Sequence, residues 1–277
     1  MNELNALLRS LTSAVLSLFG SCPPLVPLVV LSAFLGVVMA VVFRFTSPQQ
    51  RLRRVADLSR AEVLAIKLFK DEPRVMFAAL GRLFRCTGLR LWYSLPPVAV
   101  MVVPFTLLLA HLAVWYEYRP LAVGESAVVE LQLAESAWTS NRDTSLEAPP
   151  TIAVETEALR DDQEQAISWR IRGGEPTSAE LRWQLGDQRV DKQVVVADPA
   201  EAFLPVSVRR AGAGWWDRLL HPGEPAFDAN APVRGIEISY HKRTTPLFGW
   251  DVPWWATLLV VSIVSALLVR PLVKVQF

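Results

Sequence analysis

The chain has 277 residues, with 28 Lys or Arg against 27 Asp or Glu and a formal charge of +1. Apolar and charged residues are so strongly segregated along it that it does not read as one or two ordinary soluble domains. Two cysteines, Cys22 and Cys86, do not support a disulfide framework, since one precedes the first apolar stretch and the other lies in the basic segment after it.

Three stretches, residues 25–43, 95–115 and 252–269, are almost wholly apolar and carry no charge. A bilayer core about 30 Å thick takes roughly 20 residues of helix, so each is long enough to span. Long buried helices of a large soluble core are the competing reading. Aromatic residues favour the membrane, because Trp92, Tyr93, Trp115, Tyr116 and Tyr118 flank the second stretch while Trp250, Trp254 and Trp255 open the third.

Residues 1–22 place Leu4, Leu7, Leu8, Leu11, Val15, Leu18 and Phe19 at helical spacing, with Asn5, Arg9, Ser13 and Ser17 between them. This pattern predicts an amphipathic helix on the outer leaflet, broken by Cys22-Pro23-Pro24; a cleaved signal peptide is the alternative. Residues 23–46 are predicted as the first transmembrane helix.

Residues 47–91 follow as a basic helical hairpin. Ser47-Pro48 resembles a helix start, Ser59 with Glu62 fits a capping box, and Asp71-Glu72-Pro73 makes the turn. The second arm carries Val75, Met76, Ala79, Leu80, Leu83 and Phe84 as an apolar stripe and is expected to stop before Gly88. Arg53, Arg54, Arg60, Lys67, Lys70, Arg74, Arg82 and Arg85 form its basic face. Such a face can attract nucleic acid or anionic lipid, or do no more than satisfy the positive-inside rule.

Residues 92–118 are the second predicted span, opened by Pro96 and Pro97 and interrupted by Pro104. From 119 to 250 the period changes to two: Ile167, Trp169 and Ile171 alternate with polar neighbours, as do Leu181, Trp183 and Leu185, and Ile236, Ile238 and Tyr240. Val129, Leu131 and Leu133, then Ile152 and Val154, Val194 to Val196, and Val206 with Val208 add candidates. About seven short strands with Gly turns predict an antiparallel β-sandwich. Trp215 and Trp216 interrupt it, expected either to pack on the sandwich or to dip into the outer leaflet. Residues 251–270 form the third span, and 271–277 a tail.

Charge orients this arrangement. Residues 44–90 hold eleven Lys or Arg against four Asp or Glu, whereas 117–251 hold fourteen against twenty-two. Positive residues near spans stay in the cytoplasm, so the hairpin is expected inside and the β domain outside. Arg270 and Lys274 put the C-terminus inside, and three spans put the N-terminus outside. The fold class is thus a membrane α-helical protein, with three transmembrane helices plus a cytoplasmic helical hairpin, carrying an extracytoplasmic antiparallel β-sandwich domain. A bacterial inner membrane is the expected location.

No catalytic fingerprint occurs, and His111, His221 and His241 have no partner at metal-ligand spacing. His111 lies within a span, where it either serves function or bonds a backbone carbonyl. No enzyme activity, cofactor or metal is expected.

The order of elements resembles the YidC family of membrane protein insertases and its relatives in archaea and the endoplasmic reticulum. The likeness is carried by residues 51–121: the hairpin from Leu58 to Phe84, the link Arg85-Cys86-Thr87-Gly88-Leu89, then Leu95-Pro96-Pro97-Val98 and Val103-Pro104-Phe105. It implies a non-enzymatic insertase or insertion chaperone with a cytoplasm-facing groove. Arg44 would supply the groove's charge, Ser32, Ser94 and Thr106 weaker polar lining, and Pro96, Pro97 and Pro104 its shape. The partners implied are the lipid bilayer, newly made membrane proteins, the ribosome at the basic hairpin, and an unknown protein at the β domain. This chain has three spans where bacterial members have five, and its outer domain lies between spans rather than before them. The alternative is a membrane-anchored scaffold or sensor whose β domain binds a partner.

Overall fold

The computed structural model describes residues 2–19, 22–69, 72–199, 202–244, 246–247 and 250–273. In chain order the helices and first strands are α1 (Asn2–Ser17), α2 (Leu25–Thr46), α3 (Gln49–Leu68), α4 (Pro73–Tyr116), β1 (Leu121–Ala122), β2 (Ser126–Leu133) and α5 (Glu135–Asn141). Next come β3 (Leu146–Glu147), β4 (Ile152–Val154), β5 (Leu159–Asp161), β6 (Ala166–Gly173), β7 (Thr177–Leu185) and β8 (Gln188–Ala197). The chain ends with β9 (Arg209–Ala211), α6 (Trp215–Leu220), β10 (Val233–Ile238), β11 (Pro246–Leu247), β12 (Trp250–Asp251) and α7 (Trp254–Val273). It divides into two compact units, residues 28–105 with 255–277, and residues 1–27 with 106–254.

In the first of these units α2, α4 and α7 are each long and apolar enough to cross a membrane. Helix α2 buries one stripe, Leu28, Ser32, Gly36 and Ala40, spaced four residues apart. A methyl group on Gly36 would meet the Ser262 carbonyl oxygen and Ser265 Oγ of α7, so the two backbones run in close approach. Small residues at four-residue spacing are what permits such an approach between apolar helices. Ser265 Oγ completes the seam by donating to the Ala33 carbonyl at 2.8 Å.

Helices α3 and α4 run antiparallel. Glu62 pairs with Arg82 at 2.8 Å, and Arg51 lies 5.7 Å from the Tyr93 ring, so positions summing to 144 face each other. The second arm does not stop at Gly88: α4 continues without a break for 44 residues, through Gly81, Gly88 and all three prolines. A glycine costs a helix about 1 kcal/mol, too little to end one whose neighbours are Leu, Arg, Phe and Trp. The link expected at residues 85–89 is therefore helix. Ser59 is likewise no cap, because α3 begins ten residues earlier, at Gln49, and Ser59 Oγ donates to the Val55 carbonyl inside it. Pro48 takes the N-cap position itself.

The β domain lies in the other unit. One sheet has the order β4-β6-β2-β10-β9, with β5 on the end of β6, and a second has β1-β8-β7-β3. The pairings are antiparallel except β1 with β8, which is parallel. The expectation of a wholly antiparallel arrangement fails there because β7 occupies one edge of β8. Strand β1 takes the other in the direction in which the chain leaves α4.

Alternation decides which side chains are inside. Ile167, Trp169 and Ile171 on β6, Leu181, Trp183 and Leu185 on β7, and Val129, Leu131 and Leu133 on β2 enter one apolar core fed by both sheets. Each such Leu or Ile fully removed from water contributes about 1.5–3 kcal/mol. Trp169 and Trp183 meet from the two sheets with ring centroids 6.0 Å apart. The turn Gly186-Asp187 joins β7 to β8 in a two-residue hairpin, and Gly186 has φ +57°, a conformation glycine adopts without strain. Val206 is buried as expected, yet neither it nor Val208 forms a strand.

Candidate functional site

The predicted groove residues lie on two helices, Ser32 and Arg44 on α2 and Ser94 and Thr106 on α4. Arg44 sits in the last turn of α2, exposed, with its guanidinium 5.9 Å from the Phe45 ring. Ser32 is fully buried and donates to the Leu28 carbonyl at 2.6 Å. Ser94 is half-buried and donates to the Arg90 carbonyl at 2.9 Å. Both serines thus satisfy themselves on their own helix. At about 100° per residue, positions twelve apart such as 32 and 44 lie about 120° apart around a helix, so they share no face. Thr106 is half-buried and belongs to the other unit. Of the prolines, Pro97 is buried while Pro96 and Pro104 are exposed.

What the fold does assemble lies along the first arm of the hairpin. A cavity of about 330 Å³ is lined by Arg60 and Lys67 of α3, Arg90 of α4 and Arg270 of α7, with Val63 and Leu64 as its apolar wall. Three elements distant in sequence supply it. Arg90 precedes the apolar stretch of α4 and Arg270 ends that of α7, so the cavity lies at the polar end of those two apolar stretches. Arg60 also meets Asp57 at 3.4 Å. Arg53, Arg54, Arg74, Arg82 and Arg85 are exposed elsewhere on α3 and α4, and Lys70 lies outside the described residues. Arg90 and Arg270 were legible in sequence only as flanks of spans; their convergence with α3 needed the fold.

No protein-family model, curated protein or solved structure matches this chain. Among the described residues no group of His, Cys, Asp or Glu is placed to hold a metal ion. His111 is buried, with Nδ1 2.8 Å from the Leu107 carbonyl oxygen and Nε2 3.4 Å from that of Asn5.

Two polar centres in the β domain were missed in sequence. Lys192 is fully buried, paired with Glu224, and also donates to the Ser207 carbonyl. Burial pushes the pKa of its ammonium down, and the Glu224 carboxylate opposes that shift. Asp217 accepts from the Gly212 N–H at 2.8 Å, from Arg209 Nε at 3.1 Å, and meets His221 Nδ1 at 2.9 Å. Burial alone would raise its pKa, but these partners outweigh it and hold the carboxyl at about 2. Both centres tie strands and loops together.

Proposed function

We propose that this protein is a YidC-like insertase or insertion chaperone held in a bacterial inner membrane by α2, α4 and α7. Its N-terminus is outside, its C-terminus and hairpin cytoplasmic, and its β domain an extracytoplasmic sandwich. The observation that carries this reading is the cavity that α3 forms with Arg90 and Arg270. It combines four cations with an apolar wall, where a newly made segment must exchange water for lipid. A hydrophobic segment with polar flanks needs that combination: apolar surface for its core, and water and positive charge for the flanks. The continuity of α4 supports it too, since one unbroken helix joins the basic arm to the second span. Arg44 is replaced in this reading by Arg60, Lys67, Arg90 and Arg270 as the source of charge.

The test is site-specific photocrosslinking in membranes with ribosome-bound nascent chains. A crosslinker at Val63 or Leu64 should capture a nascent apolar segment, and one at Asp187 in the β domain should not. Adducts absent from Val63, Leu64 and every position along α4 would overturn the proposal.

The α2–α7 seam favours a second reading, a membrane-anchored scaffold, because close packing at Gly36 is what a simple anchor also requires. In that case the captured partner would be a folded protein bound at the β domain, with no nascent chain at the hairpin.

A further inference from the structure

Helix α1 turns two of its polar side chains and Leu16 toward the protein body and an apolar stripe away from it. Asn5 Nδ2 donates to the Arg218 carbonyl and Arg9 to the Gly223 carbonyl, each at 3.0 Å. Leu7, Leu11, Ala14 and Leu18 instead form one exposed stripe, with Leu18 82% exposed. Ser10 and Ser17 flank that stripe on one side. In water the opposite arrangement would be favoured, so the stripe calls for apolar surroundings.

Asn5 joins α1 to α6, and α6 repeats the pattern. Leu219 is buried and Asp217 is locked by Arg209, His221 and Gly212, while Trp215, Trp216 and Leu220 face outward, Trp216 being 65% exposed. The two indoles pack edge to face at 4.4 Å and are presented by a braced turn. Both elements sit at one level. The Asn5 carbonyl lies beside His111, one turn before Trp115 and Tyr116 at the end of the apolar α4, and Tyr116 stacks on Trp254 at 6.1 Å. Such aromatic residues mark the headgroup zone.

We propose that α1 and α6 form one lipid-facing collar, embedded in the outer leaflet, that seats the β domain on the bilayer. This rests on the membrane reading above. The level set by His111 and the aromatic belt names lipid as the occupant, in preference to a second copy or another protein.

Spin labels read by collision with oxygen and with a water-soluble nickel chelate test it in proteoliposomes. They are placed by Leu11→Cys, Leu18→Cys or Trp216→Cys in a chain carrying Cys22→Ala and Cys86→Ala. Val103→Cys in α4 reports the span and Asp187→Cys in the β7–β8 turn reports water. The expected result is an oxygen-to-nickel ratio at 11, 18 and 216 several times that at 187 and close to that at 103. Nickel-favoured collisions at 11, 18 and 216 with oxygen still favoured at 103 would overturn the collar and leave the spans. Low collision with both agents at 11, 18 and 216 would mean a protein covers them and would overturn lipid as the occupant. Nickel-favoured collisions at 103 would overturn the membrane reading and the collar with it.

Discussion

The Ser265 hydroxyl of α7 donates to the Ala33 carbonyl of α2, one turn from the point where Gly36 meets Ser262. The bond and the glycine make one seam, and they should fail unequally. Ser265→Ala removes an interhelical hydrogen bond, which in apolar surroundings is worth about 0.6 kcal/mol. Gly36→Val forces the backbones apart, and overpacking of this kind costs about 1–3 kcal/mol. Thermal unfolding in detergent should therefore rank wild type, S265A and G36V in that order. Equal midpoints for G36V and wild type would mean that the helices do not meet there.

The Lys192–Glu224 pair predicts that each single variant is less stable than the double variant. Removing one partner strands a buried charge, typically at a cost of about 3–5 kcal/mol. Lys192→Met and Glu224→Met should each lower the unfolding midpoint of the β domain sharply, and the double variant should recover most of the loss. A double variant as unstable as the two singles combined would show that the pair acts through its separate neighbours, Ser207 and Gln193.

The unequal legibility of these features has physical causes. Period-two alternation exposed β6 and β7 because Trp169 and Trp183 must point the same way as their i±2 neighbours. Three apolar helices were legible for another reason, since uncharged length is itself the signal. Lys192 and Glu224 were not, because a charge in a sequence looks solvated until its partner 32 residues on is placed beside it. The bonding of Ser32 and Ser94 was not legible either: a polar residue in an apolar helix does not show in sequence that its hydroxyl bonds the carbonyl four residues back. Gly36 showed only as one more small residue until α7 lay against it.

Continuity of α4 yields a prediction at Gly88. Apart from its chain neighbours and its own helix backbone, no atom of the described residues lies within 4 Å of where a side-chain carbon would be placed there, and the residue is helical. Gly88→Ala should stabilise the helix by about 0.8–1 kcal/mol, and Gly88→Pro should break it at a cost of about 3 kcal/mol or more. Hydrogen exchange of residues 84–92 reads the change directly. If α4 transmits position from hairpin to span, G88A should keep nascent-chain crosslinking at Leu64 and G88P should lose it. Crosslinking unchanged in G88P would separate the unbroken helix from the function.

Asp217 predicts how the α6 turn responds to acid. Its carboxyl is held at about 2 against an ordinary 3.8, so the folded state binds the proton less readily than the unfolded one. A depressed carboxylate contributes stability that is complete above the unfolded pKa and is lost as pH falls through the folded one. The window runs from 3.8 down to about 2. Asp217→Asn removes the titration, so at neutral pH amides of residues 209–221 should exchange faster in the variant than in wild type. After correction for intrinsic rates, that gap should narrow steadily below pH 3.8. A gap independent of pH would show that the Gly212 and Arg209 contacts hold the turn by shape alone. In the collar reading the same titration loosens the mounting of Trp215 and Trp216. Quenching of indole emission by brominated lipid should then change over the same window in wild type and stay level in D217N.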